Sequence, residues 1–421
     1  MRTLKRLLLH LEDFARTRRM SRIKGLIFQL YAQVFNREAL VSANAQYLAS
    51  WHPVKHQLRA VRTAVERATR FGTDLSDFVE LKRSILLKRY ASRSERGVLL
   101  VSFESELEKL ARLKALPDFE DRYAIIFLPT WQPFYSEAIL RFAARARRPY
   151  WIMPSASSDQ QLCANFGPLC KPLPFQASSW ASERAYSNIG TSKTFDLLML
   201  ANFSKYKRHW RLFEAVKDMP DSVSIVLAGV PLGKRTMRSL RSEADAFGVG
   251  ERIIFRESPT DDEVASLLAS AKVFCALSHK EGSYIAVAEA LLAGTPVAIF
   301  DDAIVGSKEY ICPDTGWLLN PRRPLGPQLV TCLSRATSLH PREWAKRHIA
   351  AEVNFPRLND LMRAYAREIG EDWSVDLAAF YCRHFEFEYS HSSAEPGMRV
   401  EYNSIATQFG VRIARAPVGL P

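Results

Sequence analysis

Residues 271–300 restrict the fold more than any other stretch of the 421-residue chain. The segment 271–277 (AKVFCAL) is a short apolar run rich in β-branched and aromatic residues, which predicts a buried strand, and 295–300 (TPVAIF) predicts a second. Between them, Lys280, Glu281, Gly282 and Ser283 read as a loop, followed by a helical run from Ile285 to Leu292 that Gly294 and Pro296 end. Strand, helix, strand in so short a span is a βαβ unit, and its two strands must lie parallel in one sheet. Ligands of such sheets bind beyond the carboxyl ends of the strands, where the loop at Glu281 falls.

That loop and helix carry two carboxylates. Glu289 stands between Ala288 and Ala290, with Ile285 and Leu292 one turn away, so it needs a partner if it is buried. Gly282 and Ser283 allow the backbone to come close to a ligand. The helix they open, with Tyr284 and Ile285 in its first turn, offers N–H groups and a positive dipole end to an anion. The spacing of Glu281 and Glu289 is by itself a weak pattern, equally suited to a half-exposed helix residue and a solvated loop charge.

Strand and helix patterns alternate elsewhere too. Residues 197–200 form a strand, 201–208 (ANFSKYKR) a loop, and a helix follows through Leu212, Phe213 and Ala215. Then come a strand at 224–229 (SIVLAG), a helix at 238–247, a strand at 253–255 and a helix at 262–270. Nearer the N-terminus, strands at 98–103 (VLLVSF), 123–128 (YAIIFL) and 150–153 alternate with helices at 104–116 and 134–147. Two parallel-sheet domains of Rossmann type follow from this order. The expected divisions are a basic helical region over 1–95, one α/β domain over 96–190, another over 191–345, and a C-terminal helical extension and tail over 346–421. A linker rich in Ser and small residues is expected within 177–193. Apolar faces at 358–366 and 376–381 predict helix, and no regular element is predicted from Pro396 onward.

A chain 47% apolar and 24% charged is ordinary for a soluble globular protein. Six cysteines without CxxC spacing, Cys275 among them in an apolar strand, read as buried reduced thiols of a cytosolic protein. The run Leu7-Leu8-Leu9 is cut short by His10, Glu12 and Asp13, so no signal peptide is expected, and no apolar stretch nears the roughly 20 residues that cross a bilayer. The net charge of +13 is concentrated in residues 1–95, which hold 19 Lys and Arg against 8 Asp and Glu. Residues 1–30 mix Arg2, Lys5, Arg6, Arg16 and Arg19 with Leu4, Leu7, Leu8, Leu11 and Phe14. A basic amphipathic helix of that kind suits an anionic membrane surface, each cation adding about 1 kcal/mol, and suits still better packing on the rest of the chain with a solvated basic face. Nucleic acid is not expected as a partner, because regular aromatic interleaving and any nucleic-acid module are missing.

Taken together, Glu281-Gly282, Glu289 and Gly294-Thr295-Pro296-Val297 resemble the family 4 glycosyltransferases of the GT-B fold, whose hallmark is an acidic-Gly loop, a helical glutamate and a Gly-x-Pro-Val strand. The resemblance spans roughly residues 195–345. Lys207 falls on the family's lysine, and Asn202 stands where the family has an arginine, so Lys205 or Arg208 would have to complete the cationic clamp on a diphosphate. The resemblance implies GT-B architecture: α/β, two Rossmann-like parallel-sheet domains facing a cleft, here with a helical N-terminal extension. It implies a retaining, metal-independent transfer of a hexose-type sugar from a nucleotide-diphosphate donor to a glycan, lipid-linked or small-molecule acceptor, with no cofactor and no dedicated protein base. In that scheme Glu281 grips the donor sugar and Glu289 the ribose. Lys207 and the backbone from Gly282 to Ile285 stabilise the departing phosphate.

Asn202, Arg208, His279 and Gly229 are further donor-site candidates. Gly229 belongs to a weak Gly-rich loop, and a loop histidine such as His279 is more often structural or solvated. Glu309 resembles a later acidic position of the family. Asp301-Asp302 reads as a turn rather than a metal site. Trp131, Gln132 and Tyr135 follow a strand end and are candidates for the acceptor, with core packing an equal alternative for the aromatic pair. The protein is expected in the cytoplasm, peripheral on the inner membrane face if residues 1–30 dock there. The competing class is a non-catalytic GT-B protein that binds a sugar nucleotide or serves a glycan-assembly complex.

Overall fold

Six parallel strands form the sheet of residues 181–352 in a computed structural model, which describes residues 75–129, 137–186, 192–383 and 386–414. Their order across the sheet is Gly316–Leu319, Val297–Phe300, Ala271–Ala276, Phe195–Leu200, Ile225–Gly229 and Ile253–Glu257. The chain starts at a central strand, steps outward through two neighbours, then returns to the other side of its starting strand and steps outward again. Leu197, Leu198, Val273, Phe274, Cys275, Val297 and Ile299 are all fully buried. The strands read as unbroken apolar runs rather than alternations because helices cover both faces of a parallel sheet.

Local chemistry sets the helix limits. Thr236 and Thr260 each cap a helix with a reciprocal capping box, to Ser239 before Met237–Phe247 and to Glu263 before Asp261–Ser270. Gly248 then ends the first of these helices in a left-handed conformation.

The second unit comprises residues 75–180 and 353–414. Its sheet has five strands in the order Ser84–Lys88, Gly97–Ser102, Tyr123–Leu128, Tyr150–Ile152 and Cys170–Pro172. The first pairs antiparallel with its neighbour and the rest pair parallel. Two long-range features complete it. Val79–Leu81 pairs parallel with Val411–Ile413, and Phe380–Arg383 forms a hairpin with Glu386–Tyr389.

Four expectations are corrected here. Residues 79–81 and 84–88 are strands, not part of a helical region, because the pairing of 79–81 with 411–413 and of 84–88 with 98–101, with full burial of Ser84–Lys88, outweighs the helical propensity of Leu, Lys and Arg. The tail is regular from Glu395 to Phe409, a helix whose proline sits in the first turn, where its missing N–H is harmless, and whose end is the left-handed Gly410. Residues 380–383 are a strand and not helix. Within the expected linker, residues 177–186 make two short 3-10 turns, and Ala177–Trp180 is wholly buried. Residues 1–30, with their basic amphipathic pattern, lie outside the described residues.

Candidate functional site

The strands Phe195–Leu200 and Ala271–Ala276 are neighbours, with Leu197 opposite Val273. The connection after the first leads to Ile225–Gly229 and the connection after the second leads the opposite way, to Val297–Phe300. Their carboxyl ends therefore frame the crevice where strand order reverses, the place in an open parallel sheet where loops part and a ligand fits. Lys207 follows the first strand and Glu281 the second.

The two side chains meet there. Lys207 Nζ lies 2.6 Å from Glu281 Oε2, with side-chain exposures of 7% and 8%. Glu281 Oε1 is buried and has no hydrogen-bond partner. The face of the Tyr284 ring lies 3.8 Å from Lys207 Nζ, and that of Tyr206 at 5.5 Å. Such faces attract a desolvated ammonium. The Tyr284 hydroxyl donates to the carbonyl of Leu200, 3.3 Å away, tying the loop to the end of the neighbouring strand. Burial pulls the Lys207 ammonium below its usual range, against the opposing pull of the Glu281 charge. Burial, reinforced by the same carboxylate, pushes the Tyr284 phenol well up, so it stays protonated.

The backbone around the pair is held in uncommon conformations. Arg208 and Tyr284 are both left-handed, with φ of 59° and 50°. A side chain in that region costs roughly 1–2 kcal/mol. The other described non-glycine residues with positive φ are Phe103 and Ser258. All four follow the carboxyl end of a strand, those ends being Ser102, Leu200, Glu257 and Ala276. Strain of this kind persists where the surroundings over-determine it, and it gathers at ligand-binding ends of folds. Here the surroundings include the loop after Val297–Phe300. Ile304 N donates to His279 O at 2.7 Å, Glu281 N to Ile304 O at 3.0 Å, Gly306 N to Gly282 O at 2.8 Å and Ser307 N to Ser283 O at 3.2 Å.

The remaining candidates divide by position. Asn202 Nδ2 donates to the Tyr206 hydroxyl at 3.3 Å, and Asn202 Oδ1 accepts from Ser204 N at 3.1 Å. That residue shapes the loop below Lys207 and brings no charge. Arg208 is buried, its guanidinium carbon 5.3 Å from the centre of the Phe300 ring at the end of the next strand. Tyr284 and Ile285 open the helix Ile285–Leu292, and Glu289 is half-buried in it. His279 Nδ1 lies 3.9 Å from an Asp302 carboxylate oxygen. Gly229 packs so closely that a Cβ would stand 1.8 Å from the Ala201 carbonyl oxygen. A glycine is required there by the meeting of two strand ends, which is reason enough for it without a ligand. Asp301 and Asp302 occupy an exposed turn. Trp131, Gln132 and Tyr135 lie outside the described residues.

Three residues of this neighbourhood escape sequence reasoning. Ser278 and Ser307 are buried with hydroxyls that have no hydrogen-bond partner, and a serine in a loop carries no signal that it will be buried. His209, beside Arg208, is 1% exposed, and burial together with the charges of Arg235 and Lys207 holds it well below its usual range and therefore neutral. Its place directly after a Lys-Arg pair was the one available sign.

Comparison with known proteins supports the same region. The family model described as glycosyl transferases group 1 matches residues 184–324. No curated protein sequence matches the chain. Among solved structures, HepE of Anabaena in complex with UDP and glucose is similar at 17% identity and a TM-score of 0.50, over 63% of this chain and 78% of that one. HepE in complex with UDP aligns with the same values. Sucrose-phosphate synthase from Thermosynechococcus elongatus aligns at 15% identity and a TM-score of 0.49, over 64% and 74%. The chain thus has the GT-B fold, and its residues 184–324 are similar to the group 1 glycosyl transferases.

Proposed function

We propose that the protein transfers a hexose-type sugar from a nucleoside-diphosphate donor with retention of anomeric configuration, to a glycan, lipid-linked or small-molecule acceptor. The observation that carries this reading is the buried Lys207–Glu281 pair at the switch point, one cation and one half-satisfied carboxylate side by side. Breaking the bond between sugar and diphosphate builds negative charge on the leaving phosphate. Lys207, already desolvated, and the amino end of the helix Ile285–Leu292 stabilise that charge without reorganising. Glu281 is suited to accept hydrogen bonds from sugar hydroxyls, and Glu289 those of a ribose. The departing phosphate serves as the proton acceptor, so no metal and no separate base are required. HepE, with its bound UDP and glucose, makes a uridine nucleotide the first donor to try.

The test is transfer and donor hydrolysis with a panel of nucleotide sugars, for the wild type and Glu281→Ala, with and without EDTA, the product anomer being read by NMR. Binding without turnover of any donor would favour the non-catalytic alternative, a reading that the neutral Asn202 near Lys207 keeps in play. An inverted product would remove the retaining mechanism. Residues 1–30 are proposed to dock the enzyme on an anionic membrane, and equal flotation of full-length and truncated protein with anionic liposomes would refute this.

A further inference from the structure

Glu281 holds Lys207 with one carboxylate oxygen and has the other unanswered. Its Oε2 is held by Lys207 Nζ at 2.6 Å, while Oε1 is buried and accepts nothing. A buried carboxylate with one oxygen unanswered is costly, and it gains most from a ligand that brings hydroxyl donors. Lys207 is enclosed by the Tyr284 and Tyr206 rings and by Glu281, so a phosphate that approaches it competes with the carboxylate for the same ammonium. If phosphate takes Lys207 and nothing replaces it on Glu281, a buried carboxylate is left without a counter-charge, and removing one partner of a buried pair is strongly unfavourable.

From this geometry we infer that the Lys207–Glu281 pair is a specificity device that exchanges partners, selecting a sugar nucleotide over the free nucleoside diphosphate. The inference rests on the donor-site reading above. A nucleotide sugar supplies both halves of the exchange, diphosphate for Lys207 and hydroxyls for Glu281. A free nucleoside diphosphate supplies only the first and leaves Glu281 unsatisfied. The same feature speeds release of the nucleotide once the sugar has left, because the Glu281 carboxylate reclaims Lys207. Glu281 is thereby a determinant of product inhibition as well as of donor binding.

Calorimetric titration of the full chain with two matched pairs, UDP with UDP-glucose and GDP with GDP-mannose, tests this on the wild type and on Glu281→Gln. The wild type is expected to prefer one sugar conjugate over its free diphosphate. In Glu281→Gln the free diphosphate should tighten by roughly tenfold, the size of an ordinary coupling between sites, while the sugar conjugate does not, so that the preference collapses. If both ligands tighten equally, Glu281 only repels phosphate and the exchange is wrong. Unchanged affinities for both would likewise overturn it. Binding of neither pair to the wild type would instead sink the donor-site reading itself. Glu281→Asp, which keeps the charge but draws it back from both partners, provides a second variant should the glutamine form fail to fold, and it too must lose preference.

Discussion

Each unit buries a lysine–glutamate pair under an aromatic ring, and the two pairs differ in one respect that separates structure from site. In the second unit, Lys88 Nζ lies 2.7 Å from Glu95 Oε1 and 3.7 Å from the centre of the Trp373 ring. In the first, Lys207 Nζ lies 2.6 Å from Glu281 Oε2 and 3.8 Å from Tyr284. Glu95, however, also accepts from Ser374 N at 2.6 Å through Oε1 and from Ser374 Oγ at 2.6 Å through Oε2. Both of its oxygens are answered, and the segment around Ser374 is fastened to the sheet edge by them. Glu281 has one oxygen left over. A buried carboxylate answered at both oxygens holds chain segments together, and a half-answered one at a strand's carboxyl end holds a place for something else.

The largest expected effect breaks the structural pair. Glu95→Gln leaves Lys88 buried without a counter-charge and turns an amide N–H₂ toward donors at Ser374, so it should cost about 3–5 kcal/mol in denaturant unfolding. Glu281→Gln also takes the counter-charge from buried Lys207 but opposes no donor at Oε1, so its stability cost should be smaller than that of Glu95→Gln, while sugar transfer falls roughly a hundredfold. Equal stability losses in the two variants would show that the leftover oxygen does not distinguish the pairs.

A pH titration sharpens the comparison within the second unit. Burial would raise the Glu95 carboxyl, but hydrogen bonds from Lys88 and Ser374 outweigh it and hold the group down at about 2 against an ordinary 4.5. A depressed carboxylate contributes stability above its unfolded value, so this contribution is lost as pH falls from about 4.5 toward 2. Glu120 is the reverse case. Burial pushes it up to about 7, with Oε1 unpartnered, so the folded form keeps a proton that the unfolded chain releases. Its contribution is therefore lost as pH rises from about 4.5 to 7. The unfolding midpoint of this unit should decline over that interval, and Glu120→Gln should flatten the decline.

How much of this could be read in the sequence depended on the range of the interactions. The strands and helices over 195–345 were legible because buried parallel strands are continuous apolar runs and because Thr236 and Thr260 mark helix starts beside their caps. The position of Lys207 and Glu281 beyond two strand ends followed from that alternation. Their contact did not, since it depends on strand order across the sheet. The pairing of Val79–Leu81 with Val411–Ile413 joins segments at opposite ends of the chain and leaves no local trace. The Lys88–Glu95 pair was equally hidden, because its completion comes from Ser374. Left-handed Arg208 and Tyr284 were invisible for a different reason: sequence rules expect glycine at such positions, and here side chains take them.

Smaller changes test whether that strain belongs to the site. Tyr284→Phe keeps the ring over Lys207 and removes only the hydroxyl bond to Leu200, so about 1 kcal/mol of stability should go with the loop's tether, and the Michaelis constant for donor should rise more than turnover falls. Ser258 supplies the control. It is left-handed at 51°, exposed, and follows the strand Ile253–Glu257 at the sheet's outer edge, away from the switch point. Ser258→Gly relieves the backbone at the cost of a more flexible unfolded chain, for a net gain of about 0.5 kcal/mol with transfer unchanged. If Ser258→Gly instead lowered transfer, strain at strand ends would act on the site collectively, and the distinction between a poised pair and its surroundings would have to be redrawn around the whole carboxyl edge of the sheet.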